Sequence, residues 1–136
     1  MIAVAAPYNA QVKRVGRIGL VASLAVAFVL DYPWGDWVGH THWRNVGGIP
    51  FYSWPVSFFD IIQNLILFMP AGCFGYLAFG KRARLWAPLL ALPVSFVGEW
   101  TQLYSHTRFP SATDLVCNVL GSYLGVLLAD EYVRRE

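Results

Sequence analysis

Residues 98–118, GEWTQLYSHTRFPSATDLVCN, bring Glu99, Gln102, His106, Arg108, Asp114 and Asn118 together between two apolar runs. These side chains have a defined repertoire. A guanidinium grips phosphate or carboxylate through its planar fork. Two acids in one site can divide into a general acid and a general base. Amides orient hydroxyls and other amides. What the group can do depends on where the surrounding elements place it.

Those elements are greasy. Of the 136 residues, 57% are hydrophobic and only 13% charged, about half the charged share of an ordinary soluble domain. The length fits one domain, taken as residues 1–136. A soluble helical core is the competing class, but residues 61–80 carry no charge and are long enough to cross a bilayer. Net charge is +2 and the basic residues fall in small clusters at segment ends, so nucleic acid is not an expected partner. Cys73 and Cys117 lie inside apolar runs and read as free, buried thiols rather than a disulfide framework or zinc site.

The fold expected is an all-α membrane protein with about four transmembrane helices, over residues 15–32, 58–80, 85–104 and 112–131. The first run follows Lys13, Arg14 and Arg17 and resembles a secretory signal. The run ends in Val29-Leu30-Asp31-Tyr32-Pro33-Trp34 without a small-x-small cleavage site, which favours an uncleaved anchor. If four helices zigzag, Lys13, Arg14, Arg17, Lys81, Arg82, Arg84, Arg134 and Arg135 share one side, against Arg44 and Arg108 on the other. The positive-inside rule then makes both termini cytoplasmic, in a multi-pass protein of the bacterial inner membrane. Trp34, Trp37, Trp43, Trp54 and Trp100 fall at the outer side, where amphipathic rings favour the headgroup layer. The loop 33–57 is expected to lie along that surface. Pro70, Pro88 and Pro93 are expected to kink spans two and three.

With charges excluded, three spans are short. Residues 18–30 make about 20 Å of helix against a core of about 30 Å. Glu99 and Asp114 therefore fall below the outer interface, and Asp31 and Asp60 near its edge. Helical spacing aligns the polar residues. Asp60, Gln63 and Asn64 share a face of span two, Ser95, Glu99, Gln102 and His106 a face of span three, and Asp114, Asn118 and Gly121 a face of span four. Three such stripes at one depth are costly in lipid and inexpensive against each other. The expected result is an outward-facing intramembrane pocket of Asp60, Asn64, Glu99, Gln102, Arg108, Ser111, Asp114 and Asn118. Polar residues also act as interhelical glue. That role suits Gln63 and Ser95 better, is evenly balanced for Asn64 and Asn118, and is less fitting for Glu99, Asp114 and Arg108, although an Arg108 ion pair with Asp114 or Glu99 competes. His40 and His42 resemble a metal pair but have no third ligand near them in sequence, so they read as loop residues. His106 reads as a pH-sensitive pocket member or an interfacial residue. Gly121 and Gly125 form a small-xxx-small pattern.

Three segments, DIIQNLILFMPAGCFGY (60–76), GEWTQLY (98–104) and RFPSATDLVCNVLGSYLG (108–125), together resemble the VanZ-like family. Asn64, Pro70, Gly72, Glu99, Gln102, Arg108, Ser111, Asp114, Asn118 and Gly121 fill its pattern, and the resemblance is strongest over residues 58–129. Ser111 and Thr113 stand where many members have acids, which weighs against metal binding by carboxylates. The resemblance implies a small integral membrane protein of the bacterial envelope, linked through the family's namesake to teicoplanin-type glycopeptide resistance.

The residues carry several functions. The first is binding: the pocket holds a polar or anionic group, such as a lipid headgroup, a lipid-linked cell-wall precursor or a lipoglycopeptide, with Arg108 on phosphate. The second is an intramembrane hydrolase or transferase using Glu99 and Asp114, for which no convincing nucleophile with an adjacent base is present; no catalytic residue is assigned, and no metal or cofactor is expected. The third is a structural subunit packed on a membrane-protein partner, or a homo-oligomer, through the glycine face of span four. A small transporter is a fourth, disfavoured by the lack of an inverted repeat.

Overall fold

The computed structural model describes residues 10–52 and 57–135. The described chain is helical, with four α-helices: α1 (Ala10–Asp31), α2 (Phe58–Phe79), α3 (Ala83–Gln102) and α4 (Ala112–Arg135). No strand occurs among the described residues; two isolated β-bridges tie loops together. Trp54, expected among the aromatics at one end, lies outside the described residues.

Local sequence sets the ends of these helices. Ser57 caps α2, its hydroxyl accepting from the Asp60 amide at 3.4 Å, with Asp60 in the first turn where the helix dipole favours an acid. Gly80 ends α2 at φ 59°, a conformation that suits glycine, and a single 3-10 turn (Gly80–Arg82) leads into α3. α3 stops at Gln102, two residues before the expected boundary, and tightens into turns in which Leu103 and Tyr104 donate to Trp100 and Thr101. α1 starts five residues earlier than expected and α4 runs four residues further. Pro70, Pro88 and Pro93 sit inside α2 and α3 without ending either helix.

Contacts between helices fix their directions. Gly16 of α1 lies against Leu77 and Ala78 of α2, while Ala27 packs with Phe68, so α1 and α2 are antiparallel. Arg84 reaches Asp130 and Ser95 reaches Asn118, so α3 and α4 are antiparallel too. α2 and α4 run parallel: Gly121 meets Leu65, Gly125 meets Met69, and Tyr76 donates to Asp130 at 2.8 Å. The chain therefore runs up, down, up, down. The C-terminal ends of α1 and α3 and the N-terminal ends of α2 and α4 collect at one end of the bundle.

The interior is rich in small residues, set around a few large ones such as Leu20, Phe68, Tyr76 and Val126. Ala27, Ala71, Ala78, Ala83, Ala87 and Ala91 are buried, whereas Ile18 is 60% and Val21 68% exposed, with Leu89, Val97 and Leu128 also exposed. A water-soluble bundle places its large apolar side chains inside. The opposite order, with close backbone contact through small residues, is how helices pack in lipid. Two helical stretches, Phe58–Gln102 and Ala112–Arg135, contain windows long and apolar enough to cross a membrane.

α2 and α4 make the closest contact. A Cβ on Gly72 would run into the Ser122 carbonyl, and one on Gly121 into the Leu65 carbonyl. Because backbone cannot rotate away, Gly72→Ala and Gly121→Ala are each expected to cost about 1–3 kcal/mol. Gly48→Ala, which meets nothing within 4 Å, is expected to be neutral. Thermal melting in detergent, followed by size-exclusion chromatography, checks this; equal midpoints for all three would contradict the packing described.

Candidate functional site

At the end where the four helix termini meet, all four helices and the α3–α4 loop line a cavity of about 710 Å³. Its walls are mixed. Leu30, Phe59, Ile62, Ile66, Leu67 and Phe109 supply apolar surface, and Asp31, Asp60, Gln63, Asn64, Gln102, Arg108 and Asp114 the polar surface. Asp60, Asn64, Gln102, Arg108 and Asp114, all expected in a shared pocket, thus line one cavity. Gln63, expected to be glue, is exposed and lines the cavity instead. Asn64 faces the Asp114 carboxylate.

Asp31 organises the cavity's inner wall. It is the last residue of α1 and is 7% exposed. The Gln102 amide donates to its Oδ1 at 2.9 Å. Arg108 approaches the same oxygen at 3.8 Å and donates to the backbone carbonyls of Asp31 at 2.8 Å and Leu30 at 3.3 Å. One guanidinium thereby answers both a buried carboxylate and the free carbonyls at a helix C-terminus. The sequence suggested Asp114 or Glu99 as the partner of Arg108; the ion pair is with Asp31. Gly98 makes this possible, since a Cβ there would collide with Asp31 Oδ2. Sequence spacing placed Asp31 near the interface but did not select it, because it stands alone at the end of an apolar run.

Glu99, Ser111 and Asn118 do not line the cavity and form a layer behind it. Glu99 Oε2 accepts from the Ser111 amide at 2.6 Å, and the Ser111 hydroxyl accepts from the Asp114 amide at 3.4 Å. Together they start α4: a hydroxyl cap and a carboxylate at the positive end of the helix. Asn118, fully buried, donates to Ser95 at 2.8 Å, which makes that pair an α3–α4 tie. Asp31 Oδ2, Glu99 Oε1 and Asn118 Oδ1 are buried and make no hydrogen bond among the described residues.

A family model for VanZ/LLP1 matches residues 13–132. The chain belongs to the VanZ/LLP1 family. Comparison with curated proteins and with solved structures gives no match. The family match spans all eight polar positions and also the loop between α1 and α2, which proves to be structural.

That loop folds across the end of the bundle. Val38 donates to Tyr104, His42 to Leu103 and Gly47 to Pro110, while Ala112 donates back to Gly47, all at 2.8–2.9 Å. The aromatic rings follow, with Trp37 stacked on Tyr104 at 4.7 Å. Asp36 is the clamp. Its Oδ2 accepts from the Ser105 hydroxyl, from the amides of His106 (3.0 Å) and Thr107 (2.9 Å), and from the Thr107 hydroxyl (2.7 Å). These bonds fix the turn from which Arg108 enters the cavity.

The hydrogen bonds from Ser105 and then Thr107 hold the Asp36 carboxyl down to about 2, against an ordinary 3.8. A lowered folded-state pKa contributes stability above 3.8, and this contribution fades as pH falls toward 2. Asp36→Asn, which mimics the protonated acid, is therefore expected to melt earlier than the native chain at pH 7 and to converge with it across that acid window. Parallel melting curves against pH check this; a gap that stays constant would assign the Asp36 effect to something other than its charge.

Proposed function

We propose that the chain is a four-span bacterial inner-membrane protein with cytoplasmic termini, and that its cavity opens to the outer leaflet and receives the polar headgroup of an amphiphile. The observation that carries this is the lining itself: one cavity lined by both apolar and polar side chains, at the end of a bundle whose outward faces are apolar. The fit is to a molecule with both characters, such as a lipid, a lipid-linked cell-wall precursor or a lipoglycopeptide. Lys13, Arg17, Lys81, Arg82 and Arg135 gather at the opposite end, which supports the orientation.

The charges narrow the headgroup. Arg108 faces three carboxylates, Asp31, Asp60 and Asp114, of which Asp60 and Asp114 sit in the first turns of α2 and α4. A bare anion is poorly matched to that balance. A headgroup carrying an anionic group for Arg108 and amine or hydroxyl donors for Asp60 and Asp114 suits it better. A contribution to teicoplanin susceptibility would follow from such binding.

The other readings find less support. Glu99 lies behind the cavity with one oxygen committed to the Ser111 amide, so an acid–base pair with Asp114 lacks access to a substrate there. The Gly121 and Gly125 face of α4 is occupied by α2 and is not open to a partner subunit.

Native mass spectrometry of the protein released from mild detergent provides the test. The native chain is expected to retain lipid adducts that Arg108→Gln and Asp60→Asn lose by roughly tenfold, the order expected for one charge-assisted contact. Expression of the same variants in a susceptible host is expected to abolish any shift in teicoplanin susceptibility at unchanged membrane levels. Undiminished adducts in both variants would overturn the proposal.

A further inference from the structure

The loop clamp brings His106 beside two histidines that lie far from it in sequence. His40 and His42 belong to the α1–α2 loop, and His106, expected to continue the polar face of α3, lies beyond the end of that helix. Their ring centroids are 4.8, 5.0 and 5.5 Å apart, and one ligand nitrogen from each lies within 4.8 Å of the others. The third ligand that the sequence lacked near the His40/His42 pair is thus supplied by another loop.

Three features distinguish this cluster from a chance grouping. Its backbone is fixed: His42 donates its amide to Leu103, and the His106 amide is held by Asp36. His42 Nε2 is buried and makes no hydrogen bond among the described residues, although an imidazole nitrogen shut off from water ordinarily has a partner. His40 and His106 are exposed, so their rings can turn. A tetrahedral ion with metal–nitrogen bonds of about 2.0–2.1 Å needs its nitrogens about 3.4 Å apart, within reach of small rotations of those two rings.

We infer that His40, His42 and His106 form a binding site for a divalent transition-metal ion, separate from the headgroup cavity. Three neutral imidazoles suit zinc, and also cobalt, nickel or copper, rather than magnesium or calcium, which prefer oxygen. The exposed side of the cluster leaves a coordination position for water. The ion cross-links the α1–α2 and α3–α4 loops two residues before Arg108, and Phe109, which packs its ring 6.2 Å from that of His42, also lines the cavity. Metal binding therefore stiffens the mouth of the cavity. The inference rests on the histidine geometry alone and stands whether or not the cavity holds a headgroup.

Cobalt titration of the full chain tests it, using protein stripped with chelator and free of any polyhistidine tag. The native chain is expected to bind one Co²⁺ with the visible d–d bands of a four- or five-coordinate ion, to lose them to added Zn²⁺, and to melt at a higher temperature with either metal. His40→Ala and His106→Ala, both at exposed positions, are expected to lose the bands and the metal-dependent rise while melting like the native chain without metal. Absence of the bands in the native chain, or bands that survive in both variants, would overturn the site.

Discussion

A carboxylate at the C-terminal end of a helix meets carbonyls that already carry partial negative charge, and burial removes the water that would offset the repulsion. Asp31 is in that position. The bundle answers with Gln102 from α3 and Arg108 from the following loop, and with a glycine at position 98 that leaves room for the carboxylate. The cost of leaving such a group unanswered is large enough to dictate the surroundings. It requires the end of α3 to lie beside the end of α1 and Arg108 to turn inward. The short loop between α3 and α4 then adopts a shape that Asp36 holds in place. The cavity is the space left between this knot and the first turns of α2 and α4.

The opposite end has its own knot. Asp130 accepts from Tyr76 and pairs with Arg84 and Arg134, linking α2, α3 and α4. Between the two knots the helices touch through glycine and alanine, with the Ser95–Asn118 bond as an additional tie. Polar groups at the ends and small residues in the middle give a bundle that fixes its register without a large apolar core. The large apolar side chains are left to face outward, which in lipid costs little and in water would cost heavily.

Much of this was legible in sequence because it is local. Helical spacing puts Asn64 and Asp60 on one face, and Asp114 and Asn118 on another. The four helices appeared near their expected boundaries. What spacing along one helix cannot supply is the neighbour across the gap. In the sequence Asp31 reads as an interfacial residue, because its depth depends on Gly98, far from it along the chain. For the same reason spacing offers only Asp114 or Glu99 as a competing ion-pair partner for Arg108, whereas the structure supplies Asp31. Glu99, Ser111 and Asn118 were expected in the pocket, yet capping and interhelical bonds draw them behind it. Spacing extends the polar face of α3 to His106, but the helix stops at Gln102, and the histidine cluster forms only where two loops meet. Asp36 gave no signal, since its partners are backbone amides and hydroxyls.

The central claim is that the polar ends of four helices enclose a chamber that opens to the outer surface. Cysteine labelling in intact cells tests it most directly, in a chain carrying Cys73→Ala and Cys117→Ala. A membrane-impermeant maleimide is expected to reach Asn64→Cys and Asp60→Cys from outside, and to reach Lys81→Cys only after the membrane is opened. Reaction at Lys81→Cys in intact cells, with Asn64→Cys and Asp60→Cys silent, would contradict it.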